Sequence, residues 1–363
     1  MTASTVPGRA TWTVGWRGRP VRFERRAVVV AAVALAGLAV LALFSMGVGP
    51  ASADPPTVLK ALFAATGDPA TAGALKWRTP RIAVAIVGGA LLALGGALFQ
   101  VLTRNPLGSP DIIGFNTGAY TGALLATMLL PPSRGRNIGV GGVSVHVGDY
   151  VPALGACLGG LATAALVLAL SGARARGADH RLIVVGIATS ATLTAVNAYI
   201  IMKTDINYAS AMTSWSFGSL NGLRAPDAAP LILALLAIAV AVPWAAQAGK
   251  AMMCDDDVAT AIGEPVRRTR VAFLVIGVTA TAVVTAVIGP VMFVALAAPH
   301  IARGLTRSAG LALVPTAIIG SLLLLGADTI ARAGSIEIPA GVVTMIIGGA
   351  YFFRLLLGAR GRR

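Results

Sequence analysis

Few side chains in this sequence are suited to chemistry, and the densest group is acidic. Asp255, Asp256 and Asp257 are consecutive. Neighbouring carboxylates can bind a divalent metal at a diphosphate site, but that chemistry needs further acids, and the next positions include Ala259 and Thr260. The sequence has no second acidic cluster. The three aspartates therefore need an explanation other than metal-dependent catalysis.

The sequence also lacks a loop that binds nucleotide phosphates. No Gly-Lys-Ser or Gly-Lys-Thr occurs, and no glycine precedes Lys250 at the required spacing. The three histidines and the scattered carboxylates suggest no convergent catalytic set. Cys157 and Cys254 provide no disulfide framework. We expect no cofactor, no metal site and no enzymatic activity in this chain.

Long apolar windows dominate the rest of the sequence. Hydrophobic residues make up 56% and charged residues only 12%, against about 25% charged in soluble domains. The nearly uncharged windows are 27–53, 82–103, 112–133, 150–173, 182–202, 228–249, 271–302, 308–327 and 338–353. A helix needs about 20 residues to cross a bilayer, so 271–302, which contains Gly289 and Pro290, predicts two segments. The predicted fold is an all-α membrane protein with about ten transmembrane helices.

Basic residues indicate the orientation. If the N-terminus is cytosolic, most of the 29 Lys and Arg lie on the cytosolic side, so both termini are predicted to be cytosolic in a multi-pass protein of a bacterial plasma membrane. The net charge of +15 does not indicate nucleic acid, because the charges lie in tails and short loops. Glycine pairs at small-xxx-small spacing predict close helix packing.

The domain prediction has three parts. Residues 1–26 are predicted to form a basic, flexible tail near anionic lipid, 27–358 a single transmembrane domain and 359–363 a short basic tail. A cleavable signal ending near Ala51-Ser52-Ala53 is an alternative. The apolar run before those residues is longer than the ~7 to 15 residues of a signal core, which favours a retained first span.

Several ordered motifs resemble the membrane subunits of ABC importers for iron-siderophores and cobalamin. They are RTPR at 78–81, GGALFQ at 95–100, RNPLGSPDIIGF at 104–115, APHIAR at 298–303 and IPAGVVT at 338–344. The resemblance implies ten helices per subunit. It also implies a second permease subunit, two cytosolic ATPases that bind ATP and Mg, and an extracytoplasmic siderophore-binding protein. The third and fourth of these motif regions look most like ferric enterobactin permeases, so a catecholate siderophore and a paralogous second subunit are expected.

The resemblance assigns the acidic cluster to the cytosolic loop 251–270. This loop is similar to the family's coupling helix, which seats in a groove of the ATPase. Acids in its first turn and Gly263 at its end predict a short helix with an apolar face. The alternative is a solvated acidic loop. The coupling residues are Asp255, Asp256, Asp257, Val258, Ala259, Ala261, Ile262, Gly263 and Glu264.

Other motif residues receive roles in the same way. Arg78, Arg81 and Arg332 are expected to dock the binding protein, with membrane anchoring as the alternative. Asp328 and Arg332 have helical i, i+4 spacing and predict a salt bridge, although Asp328 could also couple protons. His300 is expected to form a hydrogen bond within a broken helix. The motif residues expected to shape the fold are Arg104, Asn105, Pro106, Pro299, His300, Arg303 and Asp328.

Uncharged polar residues are the candidates for the conduit wall. They are Gln100, Asn116, Thr117, Thr189, Ser190, Thr192 and Asn197. Trp215 resembles part of a short extra helix at the pathway mouth, although an interfacial anchor explains it as well. A proton-coupled secondary transporter stays open as an alternative, as does import of cobalamin, haem or another iron chelate.

Overall fold

The structure is a computed structural model, and it describes residues 2–6, 9–16, 19–49, 69–130, 137–140, 143–146, 150–171, 178–308, 310–334 and 338–360. The candidate cleavage site at 51–53 and residues 361–363 lie outside the described residues. The helices are α1 (Arg25–Gly47), α2 (Pro69–Leu102), α3 (Phe115–Leu129), α4 (Val151–Ser171), α5 (Ala178–Met202), α6 (Ile206–Ser216), α7 (Ala228–Met252), α8 (Asp256–Ala261), α9 (Val266–Ile288), α10 (Val294–Thr306), α11 (Leu313–Ala333) and α12 (Ala340–Arg360).

Each of the ten predicted membrane segments corresponds to one of these helices. Among the described residues, seven helices are long and apolar enough to cross a membrane: α1, α2, α4, α5, α7, α9 and α11. The other three segments are α3 with 15 residues, α10 with 13 residues and the apolar part of α12, Ala340–Arg354. The helical bundle predicted from hydropathy is therefore confirmed.

The predicted break in the window 271–302 is also confirmed. Gly289 has a φ of +79°, and α9 ends at Ile288. The chain then runs through Pro290 to Phe293, whose φ of +69° is unusual for a residue with a side chain. α10 starts directly after it and is too short to cross a bilayer alone.

The N-terminal tail differs from the sequence prediction. Instead of an irregular segment, the structure has three antiparallel strands, β1 (Thr2–Val6), β2 (Arg9–Trp16) and β3 (Arg19–Glu24), in the order β1-β2-β3. Threonine, valine and tryptophan favour extended backbone, and the prediction gave this preference less weight than the basic charge. A second pair, β4 (Asn137–Val140) and β5 (Val143–His146), lies between α3 and α4.

Helix α2 forms the centre of the larger part of the bundle. It contacts α1, α7, α9, α10 and α11, and 83% of its most apolar stretch is buried. α3, α4 and α5 form a smaller group that packs on α9 through α3 and α4. We call the end of the bundle where α1 begins the inner end and the opposite end the outer end. The inner end is the side predicted to be cytosolic.

Glycines allow helix backbones to meet at the main crossings. A Cβ added to Gly96 of α2 would overlap the backbone carbonyl of Ala295 in α10, and one added to Gly122 of α3 would overlap that of Gly155 in α4. These contacts confirm the packing role predicted from the glycine spacing.

We expect Gly96→Ala to destabilise the protein by about 1–3 kcal/mol, because the added methyl must push two packed backbones apart. Gly37→Ala is the matched control. It makes the same change in the membrane helix α1, where none of the residues that the structure describes lies within 4 Å of the added Cβ. Thermal unfolding of the purified protein in detergent compares the two variants. Equal unfolding temperatures would contradict the prediction.

The window 112–133 suggested that a membrane helix begins near residue 112. The structure instead has a short connection there, between α2 and α3, that is not α-helical. Residues 110–113 form a single 3-10 turn, and α3 begins at Phe115. Gly114 lies against Ser190, which is about 18 Å along α5 from its inner start. The chain therefore turns back into the bundle after α2. We call residues 103–114 the re-entrant segment. Such backbone occurs at membrane depth only where protein covers it or where it lines a cavity.

Candidate functional site

The acidic cluster forms a short helix at the inner end, as predicted. α8 spans Asp256–Ala261, with Asp256 and Asp257 in its first turn, where the helix dipole favours negative charge. Gly263 follows with a φ of +89°, which only glycine adopts without strain. Glu264 accepts a hydrogen bond of 2.5 Å from the hydroxyl of Thr269, so the turn into α9 is closed by a side-chain contact.

Ion pairs hold α8 against the bundle. Asp256 accepts from Arg104 at 2.5 Å and from Arg270 at 3.1 Å. Arg104 also donates to the backbone carbonyl of Cys254 at 2.9 Å and lies 3.8 Å from Asp255. Asp255 and Asp256 thus lie close to Arg104 of the chain between α2 and α3, and Asp256 also pairs with Arg270 of α9. This geometry distinguishes α8 from the alternative of a freely solvated acidic loop.

The apolar face of α8 points away from the bundle. Val258 is 51% exposed and Ile262 is 65% exposed, whereas Ala259 is fully buried. Ala261 is exposed as well. The acidic side of α8 forms ion pairs with the bundle, and its apolar side is exposed to solvent. This arrangement is expected of a helix that docks on a partner.

The three outer arginines are packed inside the chain. Asp328 is fully buried and forms ion pairs with Arg332 at 3.1 Å and with Arg81 at 2.8 Å. Arg332 also donates to Ser45 and to the carbonyl of Val48, and Arg78 donates to the carbonyl of Met46. This outer arginine network therefore caps the last carbonyls of α1, to which cations bind favourably.

The network confirms the predicted pair of Asp328 and Arg332 and adds Arg81, which sequence spacing could not identify. Side-chain exposure is 3% for Arg332 and 11% for Arg81. Because these arginines already have partners within the chain, docking of the binding protein stays a prediction for them. Their observed role is to connect α1, α2 and α11.

A second polar group connects α2, α10 and α12 nearer the inner end. Gln100 donates to the carbonyl of Leu296 at 3.0 Å and accepts from Arg303 at 2.5 Å. His300 shares a 2.5 Å hydrogen bond with Tyr351. His300 thus forms a hydrogen bond, as expected, but its partner lies on α12 and not within its own broken helix.

The conduit candidates separate by burial. Gln100, Asn116 and Asn197 are buried, and Gln100 has both polar atoms bonded within the chain, which removes it from the wall of a path in this structure. Thr117, Thr189 and Ser190 are half-buried, and Thr192 is exposed on α5. Among the candidates, Thr117 of α3 and Thr189, Ser190 and Thr192 of α5 are therefore accessible to a conduit.

The structure identifies a half-buried acid, Asp111, that sequence reasoning passed over. Asp111 accepts from the side chain of Asn116 at 2.5 Å and from the backbone N–H of Phe293. In the sequence it appears to precede a membrane window, so only the re-entrant path shows that it lies inside the bundle. The feature of the sequence that could have indicated this position is the polar stretch RNPLGSPDIIGF, which interrupts the apolar pattern.

The short extra helix predicted at the pathway mouth is α6, Ile206–Ser216. Trp215 stacks on Tyr120 of α3 with ring centroids 6.4 Å apart. The following backbone is packed tightly at the outer end, where Gly341 donates to the carbonyl of Gly218 at 3.0 Å. Trp215 is thus part of a packed outer cap and is only half-buried.

Comparisons with known proteins agree with this architecture. The sequence profile of the FecCD transport family matches residues 27–358. The ferric enterobactin transport system permease protein FepG of Escherichia coli is 36% identical over 92% of this chain and 97% of its own length. The cobalamin import system permease protein BtuC of Halobacterium salinarum is 32% identical over 77% of this chain and 72% of its own length.

A solved structure shows a similar fold. A metal-chelate type ABC transporter in an inward-facing conformation superposes with a TM-score of 0.73 at 24% identity. The match covers 91% of this chain and 99% of that chain.

Proposed function

Because this chain belongs to the FecCD transport family, whose members are ABC importer permeases, we propose that it carries a ferric siderophore of the catecholate type across the bacterial plasma membrane. The observation that supports the cargo is the 36% identity to FepG over 92% of the chain, which exceeds the 32% identity to the cobalamin permease. The conduit candidates on α5 are uncharged, which suits a bulky chelate that must be released again.

The proposed assembly contains a second permease subunit, two cytosolic ATPases and an extracytoplasmic siderophore-binding protein. The exposed apolar face of α8 at the inner end is where an ATPase would bind. Only 17% of the most apolar stretch of α5 is buried within this chain, so most of that helix is available to a second subunit or to lipid. We propose a paralogue as that second subunit.

Transport rests on rigid-body movement in this proposal. α8 is fixed to the re-entrant segment and to α9 by ion pairs, so displacement of an ATPase groove moves whole helices. The energy comes from ATP bound on the partner, since this chain has no phosphate-binding loop.

Reconstitution tests the proposal. We expect vesicles that contain both permease subunits, the ATPases and the binding protein to accumulate ferric enterobactin only when ATP is present. Vesicles with this chain alone are the control, and they should accumulate none. Uptake by the chain alone, driven by a proton gradient, would instead establish a secondary transporter. ATP-dependent uptake of cobalamin without uptake of ferric enterobactin would overturn the cargo.

A further inference from the structure

The re-entrant segment connects the coupling helix to the middle of the bundle. Its first part lies at the inner end, where Arg104 contacts α8. Its last part lies near mid-depth, where Gly114 touches Ser190 of α5. A single stretch of about ten residues thus reaches from the proposed ATPase surface to the helix that carries most of the conduit candidates.

Arg104 is the main contact between this segment and α8. Its guanidinium donates to Asp256 at 2.5 Å and to the carbonyl of Cys254 at 2.9 Å, so it contacts both the first turn of α8 and the chain two residues before that helix. Both bonds come from the same terminal nitrogen, Nη2, which therefore joins the two acceptors at one point. Arg270 of α9 joins the same carboxylate at 3.1 Å.

The backbone of Arg104 suggests that its side chain is used for more than folding. Arg104 has a φ of +48°, a region where a residue with a Cβ is strained and glycine is not. Its side chain is 30% exposed and that of Asp256 is 38% exposed, and ion pairs this exposed add little to folding stability. Stability alone therefore does not account for an arginine at this position.

The C-terminal end of the re-entrant segment also has defined contacts within the bundle. Asp111 accepts from the backbone N–H of Phe293, the left-handed residue that directly precedes α10, and from Asn116 in the first turn of α3. A Cβ on Gly114 would meet the hydroxyl of Ser190 at 2.5 Å, which leaves little room for independent motion of α5. Movement of the segment must therefore shift α3, α5 and α10.

We propose that Arg104 is a positioning residue for transport that transmits movement of α8 through the re-entrant segment to α3, α5 and α10. This inference rests on the proposed function of α8 as the ATPase contact. It adds a second mechanical connection, separate from the covalent links of α8 to α7 and α9. Asp256 is its partner, and Asp111 anchors the other end.

The test is Arg104→Gly in the complete importer, reconstituted with its partner permease, ATPases and binding protein. Glycine accepts the φ of this position, so we expect the unfolding temperature and the assembly of the complex to be unchanged. We expect ferric enterobactin uptake per ATP hydrolysed to fall by about fivefold or more, at the lower end of ordinary coupling between sites. ATP hydrolysis should continue.

Three further variants make the result specific. Arg104→Lys should restore part of the uptake, because it keeps the charge at Asp256. Arg104→Gly combined with Asp256→Asn should be no worse than Asp256→Asn alone, since both act through one contact. Arg268→Gln, which removes an exposed charge from the same end of α9, should leave uptake per ATP unchanged. Normal uptake per ATP in Arg104→Gly would overturn the inference, and so would an effect of equal size in Arg268→Gln.

The two proposals can fail separately. If wild-type vesicles take up no ferric enterobactin, the cargo assignment is wrong. Uptake per ATP hydrolysed is then measured with cobalamin. If the wild type transports a cargo and Arg104→Gly does so at the same ratio, only the role of Arg104 is wrong.

Discussion

Asp328→Asn is expected to reduce the stability of the folded protein by about 3 kcal/mol or more, the usual effect of breaking a buried ion pair from one side. The carboxylate is fully buried and lies 2.8 Å from Arg81 and 3.1 Å from Arg332. Asparagine keeps the size of the side chain and removes its charge. Two guanidinium groups then stay in a largely buried site without their counter-charge, and the cap on α1 weakens.

Thermal unfolding of the purified protein in detergent measures this effect, together with the amount of protein that inserts into membranes. Asp255→Asn is the matched control, since it removes a carboxylate that is 89% exposed and should change stability by no more than about 0.5 kcal/mol. The same experiment addresses proton coupling by Asp328. Normal stability with complete loss of uptake would contradict the structural role and favour a proton-coupling carboxylate.

Val258→Asp with Ile262→Asp is expected to prevent binding of the ATPase while leaving the subunit folded. Both side chains are more than half exposed in the isolated chain, so charging them costs little without a partner. In an interface each would bury an unpaired carboxylate. Central interface residues often contribute about 2 kcal/mol or more, so we expect affinity to fall by about 30-fold or more.

Affinity between the permease and the purified ATPase in detergent gives the measurement, and uptake in cells gives the consequence. Thr260→Asp is the control, because it also adds a carboxylate to α8 but lies about 150° around the axis from the proposed contact face. Its affinity should stay near that of the wild type. Normal assembly of the double variant would show that the ATPase binds elsewhere.

Local sequence was sufficient for the features that depend on neighbouring residues. Hydropathy located ten apolar segments, each of which is a helix in the structure, because a segment in lipid must satisfy its own backbone. Gly289 and Pro290 predicted the break before α10, and Gly263 with the preceding acids predicted α8. The spacing of Asp328 and Arg332 predicted their salt bridge for the same local reason.

Sequence reasoning did not identify partners from distant parts of the chain. Arg81 and Asp328 are 247 residues apart, and Gln100 and Arg303 are 203 residues apart. Nothing in either local sequence identifies the other residue. Gln100 therefore appeared to be a conduit candidate, and the outer arginines appeared free to dock a partner. Likewise, Asp111 looked like a loop residue at the membrane surface until the path of the chain placed it in the bundle.

The amino-acid sequence alone determined that this protein is a helical membrane permease with an acidic inner loop, because hydropathy, charge asymmetry and short motifs are properties of contiguous residues. Only the tertiary structure decided which polar groups meet, that the backbone turns back into the bundle after α2, and that α8 is held by Arg104 and Arg270. The physical reason is that a buried charge or a non-helical segment is stable only where another helix supplies its partner. Helix packing, and not local preference, selects that partner.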